Sequence, residues 1–296
     1  MPYVWFAVVC SIWGSSFILM KRAMLCLSPV GVGAWRDFGG AAVLALIFVA
    51  AACRPAVRRR DIVPLMGVAI LGFAWPHSIQ PELVGRIGGA FVGMTVGMTP
   101  LLTILVSIPM LGVYPTARQV FGVIGALVCM AILMQDGLRH HVAVSDLLLA
   151  FSVPLTYSFA NSWIRRSLRH LPPLELTLLC LASASAVLLP LSAVIGERRS
   201  YDSQNLVVGI GAVAMLGVAG TGIATLLFNK LVQDQGPLFA SMAINLVPVG
   251  AAIWGWAEGE HITQMQFGAL IGILVMVTIV QFGSAQRPVV ADEPVP

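Results

Sequence analysis

The sequence predicts an all-α integral membrane protein, with ten transmembrane helices as two inverted five-helix repeats around a central cavity. Three observations predict it. The first concerns solvent: of 296 residues, 58% are hydrophobic and only 10% are charged, and the mean hydropathy is +0.90. A soluble domain is about one quarter charged, and so few charges cannot clothe a water-facing surface. The second is segmentation. Ten apolar runs, at about 2–20, 29–53, 62–80, 87–111, 119–135, 146–164, 174–195, 206–229, 237–257 and 264–284, are each close to the roughly 20 residues that cross a hydrocarbon core. The third is an internal repeat whose matches keep chain order.

The runs can be justified in turn. Run 2–20 lacks a basic leader and a small-residue cleavage pattern and leads straight into Lys21-Arg22, so it reads as a span and not as a removable signal. It carries Trp13, Ser15 and Ser16. Run 29–53 opens on Pro29 and holds an adjacent charged pair, Arg36-Asp37. A charge at such depth costs about 3 kcal/mol even on permissive scales and turns toward protein or a wet cavity. Neighbouring residues on a helix diverge by roughly 100°, so the two charges need separate partners. Seven residues past Pro29 Arg36 has risen about 10 Å, which leaves two readings, an interfacial or structural anchor and a group on the permeation path. Asp37, the acid clearly inside a span, is the candidate for coupling.

Run 62–80 carries Trp75 and His77, and the two prolines and two titratable groups of WPHSIQPE (75–82) read as the connection to the fourth run. There Gly85, Gly89, Gly93 and Gly97 form a four-residue ladder leading to Pro100. Such a ladder lets helices approach closely, and with Pro100 it can also act as a hinge. Thr95 and Thr99 lie beside it. Thr116-x-x-Gln119 and Thr263-x-x-Gln266 are capping boxes that open the fifth and tenth spans. The sixth run carries Tyr157, Asn161 and Trp163, the eighth Thr221, and the ninth Asn245 and Pro248. An amide in hydrocarbon needs partners, so Asn161 and Asn245 either bond between helices or line a cavity. The proline- and acid-bearing tail 286–296 is expected to be disordered.

The repeat sets the organisation. Residues 21–29 align with 165–173, Leu71-Gly72 with Leu216-Gly217, Gly88, Phe91, Met94 and Pro100 with Gly236, Phe239, Met242 and Pro248, and the two capping boxes with each other. Residues 1–140 and 141–285 thus form two five-span units. An odd number of spans reverses the polarity of the second, as in secondary transporters whose sites lie between inverted halves. Trp13 and Tyr157 fall at the same place in the two halves and suggest a paired aromatic lining. Lys and Arg number ten on the side of the N-terminus against six opposite, which favours both termini in the cytoplasm and an inner-membrane location.

Several function classes are excluded or disfavoured. The net charge of +4 is spread over short loop clusters, so no nucleic-acid partner is implied. The five cysteines show no CxxC spacing, and His140-His141 is weak as a metal site. No GxxxxGK[ST], HExxH or GxSxG occurs, so no ATPase, catalytic site, cofactor or metal is expected.

Trp13-Gly14-Ser15-Ser16 followed by Lys21, Pro29 with Arg36 two turns on, and Pro248 with Gly259-Glu260, Thr263 and Gly268 together resemble the drug/metabolite transporter superfamily, and within it the ten-span EamA type. The first half has Val113-Tyr114 where the second has Gly259-Glu260. The resemblance implies a non-enzymatic secondary transporter working by alternating access, an exporter of small organic solutes such as amino acids, metabolites or drug-like compounds. Its partners would be that solute and the lipid bilayer, with a homodimer left open. The cavity residues expected are Trp13, Ser16, Arg36, Trp75, His77, Thr99, Tyr157, Asn161 and Asn245, with Asp37 coupling and Gly89, Gly93, Gly97, Pro100 and Pro248 packing or hinging. The rival reading is a membrane protein that does not transport, an intramembrane enzyme or an assembly scaffold.

Overall fold

The computed structural model describes residues 2–112, 114–195, 203–228 and 237–282, with side chains from 243 to 280 in the last stretch. The tail expected to be disordered lies outside these residues, as does Gly236 of the repeat. Among the described residues every regular element is helical and none is a strand. Eight helices are long and apolar enough to cross a membrane: α1 (Pro2–Ala23), α2 (Pro29–Ala50), α3 (Arg59–Ile87), α4 (Gly89–Leu111), α5 (Ala117–Arg139), α6 (Val144–Leu168), α7 (Pro173–Ile195) and α8 (Ser203–Phe228). Two further apolar helices, α9 (Pro237–Ala257) and α10 (Gln264–Phe282), follow.

Local chemistry explains the ends. Ser28 caps α2 by accepting from the Gly31 N–H at 3.1 Å, ahead of Pro29 in the first turn, a position where a missing N–H does no harm. Both capping boxes form: the Thr116 side chain accepts from the Gln119 N–H, and Thr263 accepts from Gln266. At α4 the cap comes from far along the chain. The Glu260 carboxylate accepts from the Gly89 and Ala90 N–H groups, both at 2.9 Å, satisfying two orphan donors at the positive end of the helix. Gly88 turns the chain into α4 at φ +88°, a conformation in which glycine is unstrained.

One sequence expectation fails. WPHSIQPE is not a connection; it is helical and continues α3 to Ile87. Pro76 and Pro81 remove two ladder N–H groups, yet the helix persists because a lipid-embedded chain must keep backbone bonds within the protein. A wide π-turn at Ile70–Ala74 sits where Pro76 leaves the Gly72 carbonyl without its usual donor. The polar residues are tolerated because His77 and Gln80 face the protein interior, each 4% exposed.

The helices pack in a definite pattern. The most extensive pairs are α2 with α7, α3 with α6, α2 with α8, α1 with α9 and α5 with α10, followed by α4 with α6, α2 with α3, α4 with α9, α1 with α8 and α3 with α7. In lipid no hydrophobic force draws helices together, so close packing must do it. The glycine ladder of α4 provides such a face. A Cβ on Gly89 would lie 3.0 Å from the Phe17 Cβ and one on Gly97 2.8 Å from Pro248, while one on Gly93 would collide with Ala251. These glycines therefore pack α4 against α1 and α9. Pro100 follows a loosened turn at Gly97-Met98, and the Thr99 hydroxyl donates to the Val96 carbonyl at 2.7 Å, the acceptor that Pro100 leaves open.

Gly93→Val should lower the thermal unfolding temperature of the purified protein in detergent, at an overpacking cost of about 1–3 kcal/mol. Gly268→Ala, whose added Cβ meets nothing within 4 Å, should leave it unchanged.

Candidate functional site

Arg36 and Asp37 sit near the middle of α2 and diverge as helix geometry requires. Arg36 donates through Nε to the Thr221 hydroxyl of α8 at 2.8 Å. Asp37 is fully buried and its Oδ1 is hydrogen-bonded to His77 Nδ1 of α3. The carboxylate can only accept, so that imidazole nitrogen carries the proton. Gly33, one turn before Asp37, lets α3 come near enough: a Cβ there would lie 2.5 Å from the His77 carbonyl. Arg36 Nη1 and Asp37 Oδ2 are buried without hydrogen-bond partners among the described residues.

These groups border a cavity of about 540 Å³, within the usual range for organic ligands. Its wall draws on α1, α2, α3, α4, α6, α7, α8 and α9. Three unusual segments converge on it, the π-turns Ile70–Ala74, Ile164–Leu168 and Leu216–Ile223. Such turns free backbone acceptors and recur at functional sites. Here the Gly220 carbonyl accepts from the Trp13 indole N–H at 3.0 Å, and Thr221 Oγ1 donates to the Leu216 carbonyl at 3.1 Å while receiving Arg36. Leu71-Gly72 and Leu216-Gly217, matched in the repeat, fall in two of these turns, the one signal in the sequence that marked them.

Of the expected cavity residues, Trp13, Ser16, Arg36, His77, Thr99, Tyr157 and Asn161 line the wall. Trp13 and Tyr157, the matched aromatics, are both among them. Two others lie elsewhere. Trp75 is 38% exposed and its indole donates to the Ser152 hydroxyl at 3.0 Å, because the extended α3 turns it to the outside of the helix cluster. Asn245 is not part of the wall, where its neighbours Ile244 and Val247 stand instead. Asp37 lies behind the wall, touching it through His77. Thr95 and Ser15 return their hydroxyls to their own helices, and Asp136 is a further buried acid within a helix, accepting from the Gln266 amide at 2.9 Å. Sequence reasoning missed Gln80, which is buried in the wall with Tyr157, and the aromatic wall of Phe17, Phe73 and Phe228.

The cavity's two ends differ. Asn161 and Arg169, both exposed, mark one end beside the connection between α6 and α7. Past Met20, the last residue of α1 to line the cavity, Glu258 takes Arg22 at 2.6 Å and Lys21 at 3.6 Å, close in sequence to the Glu260 cap on α4. No group of His, Cys, Asp and Glu among the described residues is arranged to hold a metal.

Comparison with known proteins decides the class. The EamA-like transporter family model matches residues 1–135 and 145–282. The chain belongs to the EamA-like transporter family. It is 25% identical over 276 residues, 90% of this chain and 88% of the other, to the "Uncharacterized transporter YyaM" of Bacillus subtilis (strain 168). A solved structure titled "Crystal structure of protein" has the same fold, with a TM-score of 0.66 at 18% identity, covering 97% of this chain and 99% of that one. The chain is thus a multi-pass membrane transporter, and neither family nor relative points to an enzyme.

His77→Ala strands a buried carboxylate. It should cost about 3–5 kcal/mol of stability, read as lower recovery of monodisperse protein and a lower unfolding temperature in detergent. The milder His77→Gln, whose amide keeps a donor toward Asp37 Oδ1 and leaves the carboxylate beside Arg36 in place, should lose less.

Proposed function

We propose that this EamA-like transporter is a secondary exporter of small organic solutes, such as amino acids, metabolites or drug-like compounds, across the cytoplasmic membrane. Ten spans form two inverted halves, 1–140 and 141–285, which close in turn over the central cavity, with both termini in the cytoplasm. The observation that carries this reading is a symmetry and where it breaks. Exchanging each helix for the one five places along maps α2–α7, α4–α9 and α5–α10 onto themselves, α1–α9 onto α4–α6, α2–α8 onto α3–α7, and α1–α8 onto α3–α6, all observed pairs. The largest break is at one mated pair of helices. α3 packs closely on α2 and also touches α1, whereas among the described residues α8 has no comparable contact with α6 or α7. Two like halves in unlike packing are what alternating access requires of a single state.

In the proposed orientation Asn161 and Arg169 face the cytoplasm, and Glu258 with Lys21 and Arg22 closes the outside. Exposed ion pairs contribute little energy, which suits a contact that must open on each cycle. The cavity also speaks against a scaffold, in which polar groups would satisfy one another pairwise. An enzyme would need a nucleophile for the His77–Asp37 pair, and among the described residues no hydroxyl or thiol is bonded to His77.

Purified protein in proteoliposomes loaded with a pool of amino acids and metabolites should exchange at least one labelled solute by counterflow. Silence from folded protein over a broad pool counts against transport. In a cysteine-free background, Glu258→Cys should react with an impermeant maleimide added to intact cells and Arg58→Cys only after permeabilisation; the reverse pattern would invert the orientation.

A further inference from the structure

We infer that the cavity selects organic anions, with Arg36 receiving the substrate's carboxylate or comparable oxyanion and the aromatic wall receiving its apolar body. This deepens the transport reading and rests on it. The guanidinium is a planar fork of five donors. Thr221 occupies its Nε, but Nη1 is buried with no partner among the described residues, and the side chain lines the cavity while being only 8% exposed. A buried N–H without an acceptor is costly, more so on a charged group, and a ligand oxygen would satisfy it with the geometry that favours Arg over Lys.

The charges around the wall point to the same class. The charged side chains among its described residues are Arg36 and, at the mouth, Arg169; no Asp or Glu lines it. Asp37 does not face the cavity, since its Oδ1 is turned to His77 and the residue has no exposed surface. A cation would therefore meet two arginines and no carboxylate, and the ammonium of a zwitterion would find no counter-charge. Burial of the Arg36 guanidinium outweighs the attraction of nearby Asp37, so a ligand oxyanion would supply what the empty site lacks. Trp13, Phe17, Phe73, Tyr157 and Phe228 provide the surface for an aromatic or aliphatic body.

Three probes of one shape and different heads test this: 3-phenylpropanoate, 3-phenylpropanamide and 3-phenylpropylamine, titrated calorimetrically into the full-length protein in detergent. The anion should bind at least about 10-fold tighter than either of the others, as expected for a charge-assisted hydrogen bond. Arg36→Gln should bring the acid and amide within about twofold, and Arg36→Lys should keep their order with a smaller ratio. Equal or tighter binding of amide or amine by wild type overturns the assignment. So does a preference that survives Arg36→Gln, or one that is lost with Arg169→Gln instead. If Arg36→Gln is not recovered folded, the wild-type comparison and Arg169→Gln still decide. Counterflow that persists while none of the probes binds, or while the amine binds best, refutes anion selection and leaves transport standing; silence in both assays removes both.

Discussion

A charge inside a bilayer must be met by protein, and Arg36-Asp37 imposes that demand twice from one helical turn. Because adjacent residues point about 100° apart, the two groups cannot share a partner or face one neighbour. Arg36 reaches α8 at Thr221 and Asp37 reaches α3 at His77. One dipeptide thereby holds α2 between the two helices that carry the π-turns at Ile70–Ala74 and Leu216–Ile223. The backbone follows suit at Gly33, where α3 comes close, and at Gly217, where an added Cβ would lie 2.9 Å from the Arg36 carbonyl. The cavity takes its polar rim from this arrangement, and the positions of α3 and α8 relative to α2 determine its width there.

The need to satisfy every backbone group shapes the remainder. Proline recurs inside α3, α4, α6, α7 and α9, and each one leaves a carbonyl without its usual donor. Local hydroxyls and wide turns absorb the consequences. Thr99 serves the Val96 carbonyl that Pro100 abandons, and the π-turn at Ile70–Ala74 falls where Pro76 leaves the Gly72 carbonyl open. The Gly220 carbonyl, within the π-turn of α8, accepts from the Trp13 indole, so an irregular turn in one helix becomes a contact between two. In water such interruptions would end a helix. Here the three π-turns and Thr99 beside Pro100 contribute to the cavity wall.

How far the sequence foretold this depends on what a one-dimensional pattern can hold. Hydropathy and length sufficed for the apolar helices, and the capping boxes at Thr116 and Thr263 placed two helix starts. The depth of Arg36-Asp37 and the helical angle between them implied two separate partners, though not which. WPHSIQPE was misread because turn chemistry was weighed as in water: two prolines and four polar side chains signal a loop there, but His77 and Gln80 are polar because they face the interior. Trp75 and Asn245 were misplaced for a related reason, since mid-span polarity shows that a group needs a partner and not which face it occupies. Glu260 looked like an ordinary loop acid, and no local signal reveals that it caps a helix that begins 171 residues earlier.

In the proposed two-half arrangement, the departure from symmetry is greatest at one mated pair of helices, α3 and α8. The contacts α2–α7, α4–α9 and α5–α10 join each helix to its own mate, so exchanging the roles of the halves would preserve them. What would change under such an exchange is the neighbourhood of α3 and α8: α3 would leave α1 and α2, and α8 would close on α6 and α7. The two charged links lie on that boundary. Arg36–Thr221 ties α2 to α8 through a single neutral hydrogen-bond acceptor, whereas Asp37–His77 ties α2 to α3 through a fully buried pair. If the halves exchange as proposed, α3 can leave α2 only by exposing or re-pairing a buried carboxylate, a step costing several kcal/mol. A ligand oxyanion seated on Arg36 would add like charge beside that carboxylate and make its neutralisation at His77 more favourable. Under this reading occupancy of the arginine and the bond that holds α3 are coupled, because Arg36 and Asp37 are neighbours on one helix.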